Sequence, residues 1–197
     1  SINQLTAQWA EENNVSVHFN ASVDSTNTWA KKDFQGQDFA VFLADHQTHG
    51  RGRNQNTWTD LREGRTLLST WCLRTQSPPQ PIFPLRVGLA LYEAFSTTFY
   101  NRHWSLKAPN DIYAENGKLA GILTEVEQQG SEFKIFIGIG ANILDEPRNV
   151  GQATSSLGGC KKSEWFPFCF HLAKSFNSFT KDIQRQLLTS DEQSRLL

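Results

Sequence analysis

The chain is short of several things, and each shortage narrows what it can be. Charge of one sign is missing: 19 Lys and Arg against 20 Asp and Glu leave a net charge of −1, so there is no basic footprint of the kind that grips nucleic acid. Long apolar runs are missing as well. Stretches such as Phe39–Ala44 fall far below the roughly 18–20 residues that a membrane-spanning helix needs. Cysteine is scarce: Cys72, Cys160 and Cys169 are odd in number and show neither a CxxC nor a histidine-rich spacing, which reads as reduced thiols in a cytoplasmic protein. Cys72 lies in an apolar run and suits a small core residue. The opening Ser1-Ile2-Asn3-Gln4 has neither the charged nor the apolar region of a secretory signal. Methionine is absent altogether, an absence with no physical account.

What is present is a globular chain. Its 197 residues include six Trp, fourteen Phe and three Tyr, enough aromatic surface to exclude disorder and to fill the core of one domain. Val15–Val23 alternates as a half-buried strand, and Asp24-Ser25-Thr26-Asn27 offers consecutive cap-type side chains ahead of a helix at Trp29-Ala30-Lys31-Lys32. Phe39–Asp45 and Thr66–Leu73 read as strands, with a polar loop over 46–64 between them. The proline-rich Ser77–Pro84 leads into a helix over Leu85–Phe99, whose apolar residues recur at helical spacing. Trp104–Lys107 is a short strand stopped by Ala108-Pro109-Asn110-Asp111, and Asn116-Gly117 marks a tight turn. Leu119–Glu127 and Phe133–Ile139 form a hairpin turning at Gln128–Ser131; Leu144–Ser163 reads as a loop and Trp165–Leu188 as a long closing helix. The order β-α-β-loop-β-α-β-β-β-α predicts an α+β domain with a mixed, mainly antiparallel sheet flanked by helices.

The most informative stretch is Gly50-Arg51-Gly52-Arg53. Glycine lets the backbone approach a ligand closely, and arginine supplies a fixed charge on a planar fork that matches phosphate or carboxylate. An ordinary solvated loop has the same composition, so the motif gains meaning only from its neighbours. These are Asp24-Ser25-Thr26-Asn27, Gln47, Lys107-Ala108-Pro109-Asn110-Asp111, Lys118-Leu119-Ala120-Gly121-Ile122-Leu123 and Gly138-Ile139-Gly140-Ala141-Asn142. Taken singly, each has a plain structural reading. Ser25 and Thr26 suit a helix cap, Lys118 a solvated hairpin lysine, Asp111 a turn cap, Gly138 and Gly140 a strand end. His46 and His49 lack a third ligand and read as surface residues rather than a metal pair.

In order and spacing these motifs resemble the catalytic domain of biotin protein ligases, over roughly Val15 to Asn142. The resemblance implies the class II aminoacyl-tRNA synthetase-like architecture and an ATP-dependent ligase that forms biotinyl-5′-AMP and passes biotin to a lysine of a biotin carboxyl carrier domain. It implies that Ser25, Thr26, Asn27 and Gln47 face the ureido ring, that Gly50, Arg51, Gly52 and Arg53 close over the adenylate, and that Trp58, Gly121, Gly138 and Gly140 line the biotin side. Lys118, Arg53 and Arg51 take the catalytic role. Lys107, Asn110, Asp111 and Asn142 join Arg53 and Lys118 around ATP, with Asp111 near magnesium. Biotin, ATP and Mg²⁺ are then substrates and co-substrates with no tightly bound cofactor. The expected protein is a monomer or weak homodimer, one catalytic domain over residues 1–197 without an N-terminal helix-turn-helix or a small C-terminal β-barrel.

The chemistry asks for these side chains independently. Attack of a carboxylate on the α-phosphate of ATP brings two anions together, and guanidinium and ammonium groups stabilise the charge that builds up. Two places depart from the family's pattern. Asn54-Gln55-Asn56-Thr57 stands where a further glycine and a basic residue are usual, and Ala108 where a tryptophan is usual. They leave open a module that holds biotin or its adenylate without turnover; a lipoate-type ligase is the third reading.

Overall fold

A computed structural model describes residues 1–53, 56–60, 62–145, 147 and 151–196. The elements run α1 (Ile2–Glu12), β1 (Ser16–Val23), α2 (Thr26–Asp33), β2 (Phe39–Gln47), β3 (Thr66–Thr75), α3 (Phe83–Thr98), β4 (Trp104–Lys107), β5 (Asp111–Ala114), β6 (Gly117–Gln129), β7 (Glu132–Asn142), α4 (Lys162–Asp182) and α5 (Ser190–Ser194). The strands form one sheet in the order β1-β2-β3-β7-β6-β5-β4. Only β1 and β2 are parallel, joined through α2; every other pair is antiparallel. The expected mixed, mainly antiparallel α+β architecture is therefore observed.

Strand alternation divides the sheet into two faces. Val41, Leu43, Trp71, Leu73, Ile135, Ile137 and Ile139 enter a large core with residues of α1, α3 and α4, whereas Ala40, Phe42, Cys72 and Phe136 meet Ala30 and Phe34 at α2. The second face carries the site. Helix α2 covers only part of it, and the strand residues beyond α2 are left for the loop after β2.

The structure corrects the sequence reading in four places. Helix α1 was not expected, because the polar Asn3 and Thr6 are interspersed among Ile2, Leu5, Trp9 and Ala10 on its buried face and dilute the apolar stripe. Asn3 is nonetheless fully buried, since its amide donates to Thr66 O and accepts from Leu68 N–H, both at 2.9 Å. Asp111 does not stop a strand but starts β5, too short for its alternation to register in the sequence. The hairpin between β5 and β6 turns on Glu115, at φ 55°, while Gly117 is already in β6; Gly117 is there because a side chain would run into the Thr154 carbonyl. The closing helix ends at Asp182 rather than Leu188, and a separate short α5 follows behind a Thr189–Glu192 capping box. Asn54 and Gln55, at which the 54–57 departure begins, lie outside the described residues. No helix among the described residues is long and apolar enough to cross a membrane.

Candidate active site

Register assembles the site. One row crosses five strands: Lys107 on β4 faces Asp111 on β5, Asp111 faces Gly121 on β6, Gly121 faces Gly140 on β7, and Gly140 faces Leu68 on β3. The next row is Leu123, Gly138 and Thr70. Lys118 joins this face through an irregularity. Between Ile112–Ala120 and Tyr113–Lys118 the β6 strand carries one residue more than β5, at Leu119. This bulge turns both Leu119 and Ala120 into the core and brings Lys118 onto the face of Gly121.

Two adjoining concavities result. A narrow cavity of about 50 Å³ is lined by Ser25, Thr26, Asn27, Gln47, Arg51, Gly52, Arg53, Trp58, Asn110, Asp111, Lys118, Gly121, Gly138 and Gly140. A wider groove of about 730 Å³ shares Arg53, Trp58, Asn110, Asp111 and Lys118 with it and adds Lys107, Ala108, Asn142, Gln152 and Thr154. The structure thus brings together all the residues expected to face an acid except Gly50, which instead pairs its carbonyl with Trp58 N–H at 3.0 Å. All six expected near a nucleotide border the groove.

The cavity end of the site is a hydrogen-bonded wall. Ser25 sits at the N-cap of α2 yet makes no capping bond. The work of a cap falls to Gln47, whose Oε1 accepts from Thr26 N–H at 2.8 Å and from the Thr26 hydroxyl at 3.1 Å. The Thr70 hydroxyl lies 2.9 Å from Thr26 Oγ1 and 2.5 Å from Asn27 Oδ1. Gly138 leaves room for Asn27, since a Cβ there would overlap its amide; a Cβ at Gly140 would overlap the Trp58 indole. Trp58 therefore both packs onto the sheet and lines the cavity.

At the junction the charges are arranged in pairs. Lys118 Nζ lies 3.0 Å from Asp111 Oδ1 and 5.9 Å from the centre of the Trp58 ring. Arg53 donates to Asn110 Oδ1 and Arg51 to Glu125 Oε1. Asn110 is neutral, so among the described residues Arg53 has no carboxylate partner and its charge is available to an anion. Asp111 is the only carboxylate on this row and is committed to Lys118, and among the described residues no group of three His, Cys, Asp or Glu could hold a metal. That donor set does not make a resident magnesium site. A magnesium carried in by phosphates needs only one or two carboxylates, and is best regarded as part of the nucleotide substrate.

Sequence reasoning missed four contributors. Thr70 is hidden in a buried strand, and Gln152 and Thr154 in an irregular segment that bridges to Lys118. Glu125 has nothing in its neighbourhood to mark it. Burial pushes its carboxyl up, but hydrogen bonds from Asn27, Lys31 and Arg51 pull it down further, to below its ordinary value of 4.5. A depressed folded-state pKa gives stability that is complete above about 4.5 and is lost as pH falls through the folded value. Urea unfolding midpoints of the wild type should therefore fall as the pH drops below about 4.5; those of Glu125→Gln should start lower and fall less. Parallel curves would show that this carboxylate carries no such linkage.

The biotin/lipoate A/B protein ligase family matches residues 19–142, the segment that holds nearly every residue of this site. The chain belongs to that family. A biotin–[acetyl-CoA-carboxylase] ligase of Mycobacterium tuberculosis is 34 % identical over 124 residues, covering 61 % of this chain and 45 % of that protein. Its counterpart in Paracoccus denitrificans is 33 % identical over 132 residues, 64 % of this chain and 54 % of that one. The chain thus spans about half the length of these relatives. Among solved structures, the Aquifex aeolicus biotin protein ligase in complex with biotin and ATP superposes with a TM-score of 0.66 at 24 % identity, covering 84 % of this chain and 72 % of that one. The Leishmania major biotin protein ligase with biotinyl-5-AMP gives 0.62 at 24 %, covering 88 % and 84 %. At these identities the likeness establishes the biotin/lipoate ligase fold, in which the cavity and groove described above sit on the open sheet face.

Proposed function

We propose that this chain is the catalytic domain of an ATP-dependent biotin–protein ligase. The ureido end of biotin faces the narrow cavity, ATP lies in the groove, and biotin is transferred to a lysine of a biotin carboxyl carrier domain, as the names of the relatives suggest. The observation that carries the reading is the junction: Arg53 and Lys118 border both concavities, so an acid in one and a nucleotide in the other meet between two cations. An oxygen of the biotin carboxylate attacks the α-phosphorus of MgATP, the bond to pyrophosphate breaks, and the mixed anhydride forms. Arg53, Lys118 and Lys107 offset the charge accumulating on the phosphoryl oxygens. In the second step a neutral lysine amine attacks the acyl carbon, AMP leaves, and the amine loses its proton. This step asks the enzyme chiefly to position the two partners.

Ser25, Thr26, Asn27 and Gln47 favour a ureido group over a dithiolane, because they offer hydroxyl and amide groups to a polar ring. Incorporation of labelled biotin into a carrier domain tests the proposal. Wild type should label it, and Arg53→Ala should be slower by about a hundredfold. Equal labelling by both would remove the arginine from the mechanism. Binding of biotin with no pyrophosphate release would leave a holding module in place of an enzyme, and release with lipoate but not biotin would reassign the acid.

A further inference from the structure

One carboxylate beside the cavity belongs to neither side of the proposed reaction. Glu125 stands on β6 opposite Phe136, on the same face as Gly138 and Gly140. Two separate elements, the loop after β2 and helix α2, converge on it. Its Oε1 accepts from Arg51 Nη2 of the loop and from Lys31 Nζ of α2, the latter at 3.0 Å. Its Oε2 accepts from Asn27 Nδ2 at 2.8 Å. Asn27 is itself part of the cavity wall, held through its other amide atom by Thr70. The Glu125 side chain is 20 % exposed, so these bonds are only partly screened by water.

We infer that Glu125 is a positioning residue of this enzyme, which holds Arg51 by one edge over the cavity and ties the glycine–arginine loop to the wall of the acid site. A guanidinium is a rigid fork of five N–H donors. Arg51 gives one nitrogen to Glu125 while lining the cavity, and its remaining donors keep a fixed aim. A long side chain on a glycine-flanked loop would otherwise have to lose its rotamer and backbone freedom at each closure. Fixing it before substrate arrives removes that cost from binding and from the chemical step. The second oxygen extends the effect: a ligand that settles Asn27 also settles Glu125, and through it Arg51. The inference rests on the reading of this cavity as the acid site.

A double-mutant cycle of Glu125→Gln and Arg51→Ala tests it, with two readouts. The first is pyrophosphate release with biotin and ATP; the second is amide hydrogen exchange of residues 50–53 and 56–58 without ligand, which needs no turnover. Glu125→Gln alone should lower kcat/KM for biotin about tenfold and speed exchange in the loop; in the Arg51→Ala background it should change each readout less than about twofold. Equal losses in both backgrounds would show a merely structural carboxylate and overturn the inference, as would an unaffected single variant. Wild type that releases no pyrophosphate with biotin, but whose loop exchange still responds to Glu125 only when Arg51 is present, would sink the biotin assignment and leave the coupling standing.

Discussion

Lys118→Met is expected to slow acyl-adenylate formation by about 10²–10³-fold, the loss seen when one preorganised charge donor is taken from a developing anion. Methionine keeps the apolar stem that lies against Gly121 and the Trp58 ring and removes only the ammonium group. The substitution also leaves Asp111 without its partner, 3.0 Å away in the wild type. The two side chains are 18 % and 20 % exposed, so water reaches the stranded carboxylate and the stability cost should stay near 1 kcal/mol. A rate loss worth about 3–4 kcal/mol of barrier therefore stands clear of any unfolding. Pyrophosphate release at saturating biotin and ATP, beside a urea denaturation curve, separates the two quantities. A loss of less than about threefold would mean that charge at this position does not act in the transition state.

Gly138→Ala should weaken biotin binding by about 5- to 150-fold by calorimetry. The added methyl group has nowhere to go, because its position overlaps the Asn27 amide. Asn27 is no flexible surface group: it is 3 % exposed and engaged by Thr70 and Glu125. Expelling it costs about 1–3 kcal/mol of packing strain and unpaired hydrogen-bonding groups, and removes one wall of the cavity. Gly121→Ala is the comparison. There the methyl meets Trp58 at 3.0 Å and the stem of Lys118 at 3.4 Å; the lysine stem can give way, so the loss should be smaller. Nucleotide binding should survive Gly138→Ala, since Asp111 and Lys107 lie on the neighbouring row. Biotin affinity within threefold of wild type would show that the acid does not lie against Asn27.

Much of this was legible in the chain. The arginine–glycine loop, the consecutive Ser25-Thr26-Asn27 and the Lys-Leu-Ala-Gly-Ile-Leu run are local patterns whose side-chain chemistry is specific. The sheet could be anticipated from alternation in β1 and from the strand-like runs of β2, β3, β6 and β7. Helix α1 could not, because its buried Asn3 is satisfied by the backbone of a strand more than 60 residues away. Glu125 was equally silent. A glutamate amid polar neighbours at the outer end of a strand looks solvated until Arg51, Lys31 and Asn27 are placed around it.

The amino-acid sequence by itself determined which charges, hydroxyls and glycines the protein possesses, and the secondary structure that period and punctuation impose. The tertiary structure decided which of them meet. A strand presents alternate residues to opposite faces, so strict alternation would put Lys118 on the core side, away from Gly121. The extra residue at Leu119 reverses that. It sets an ammonium group beside Asp111 at the boundary between the two concavities. No side-chain pattern announces a bulge, because it is settled by how β5 and β6 pair across the sheet.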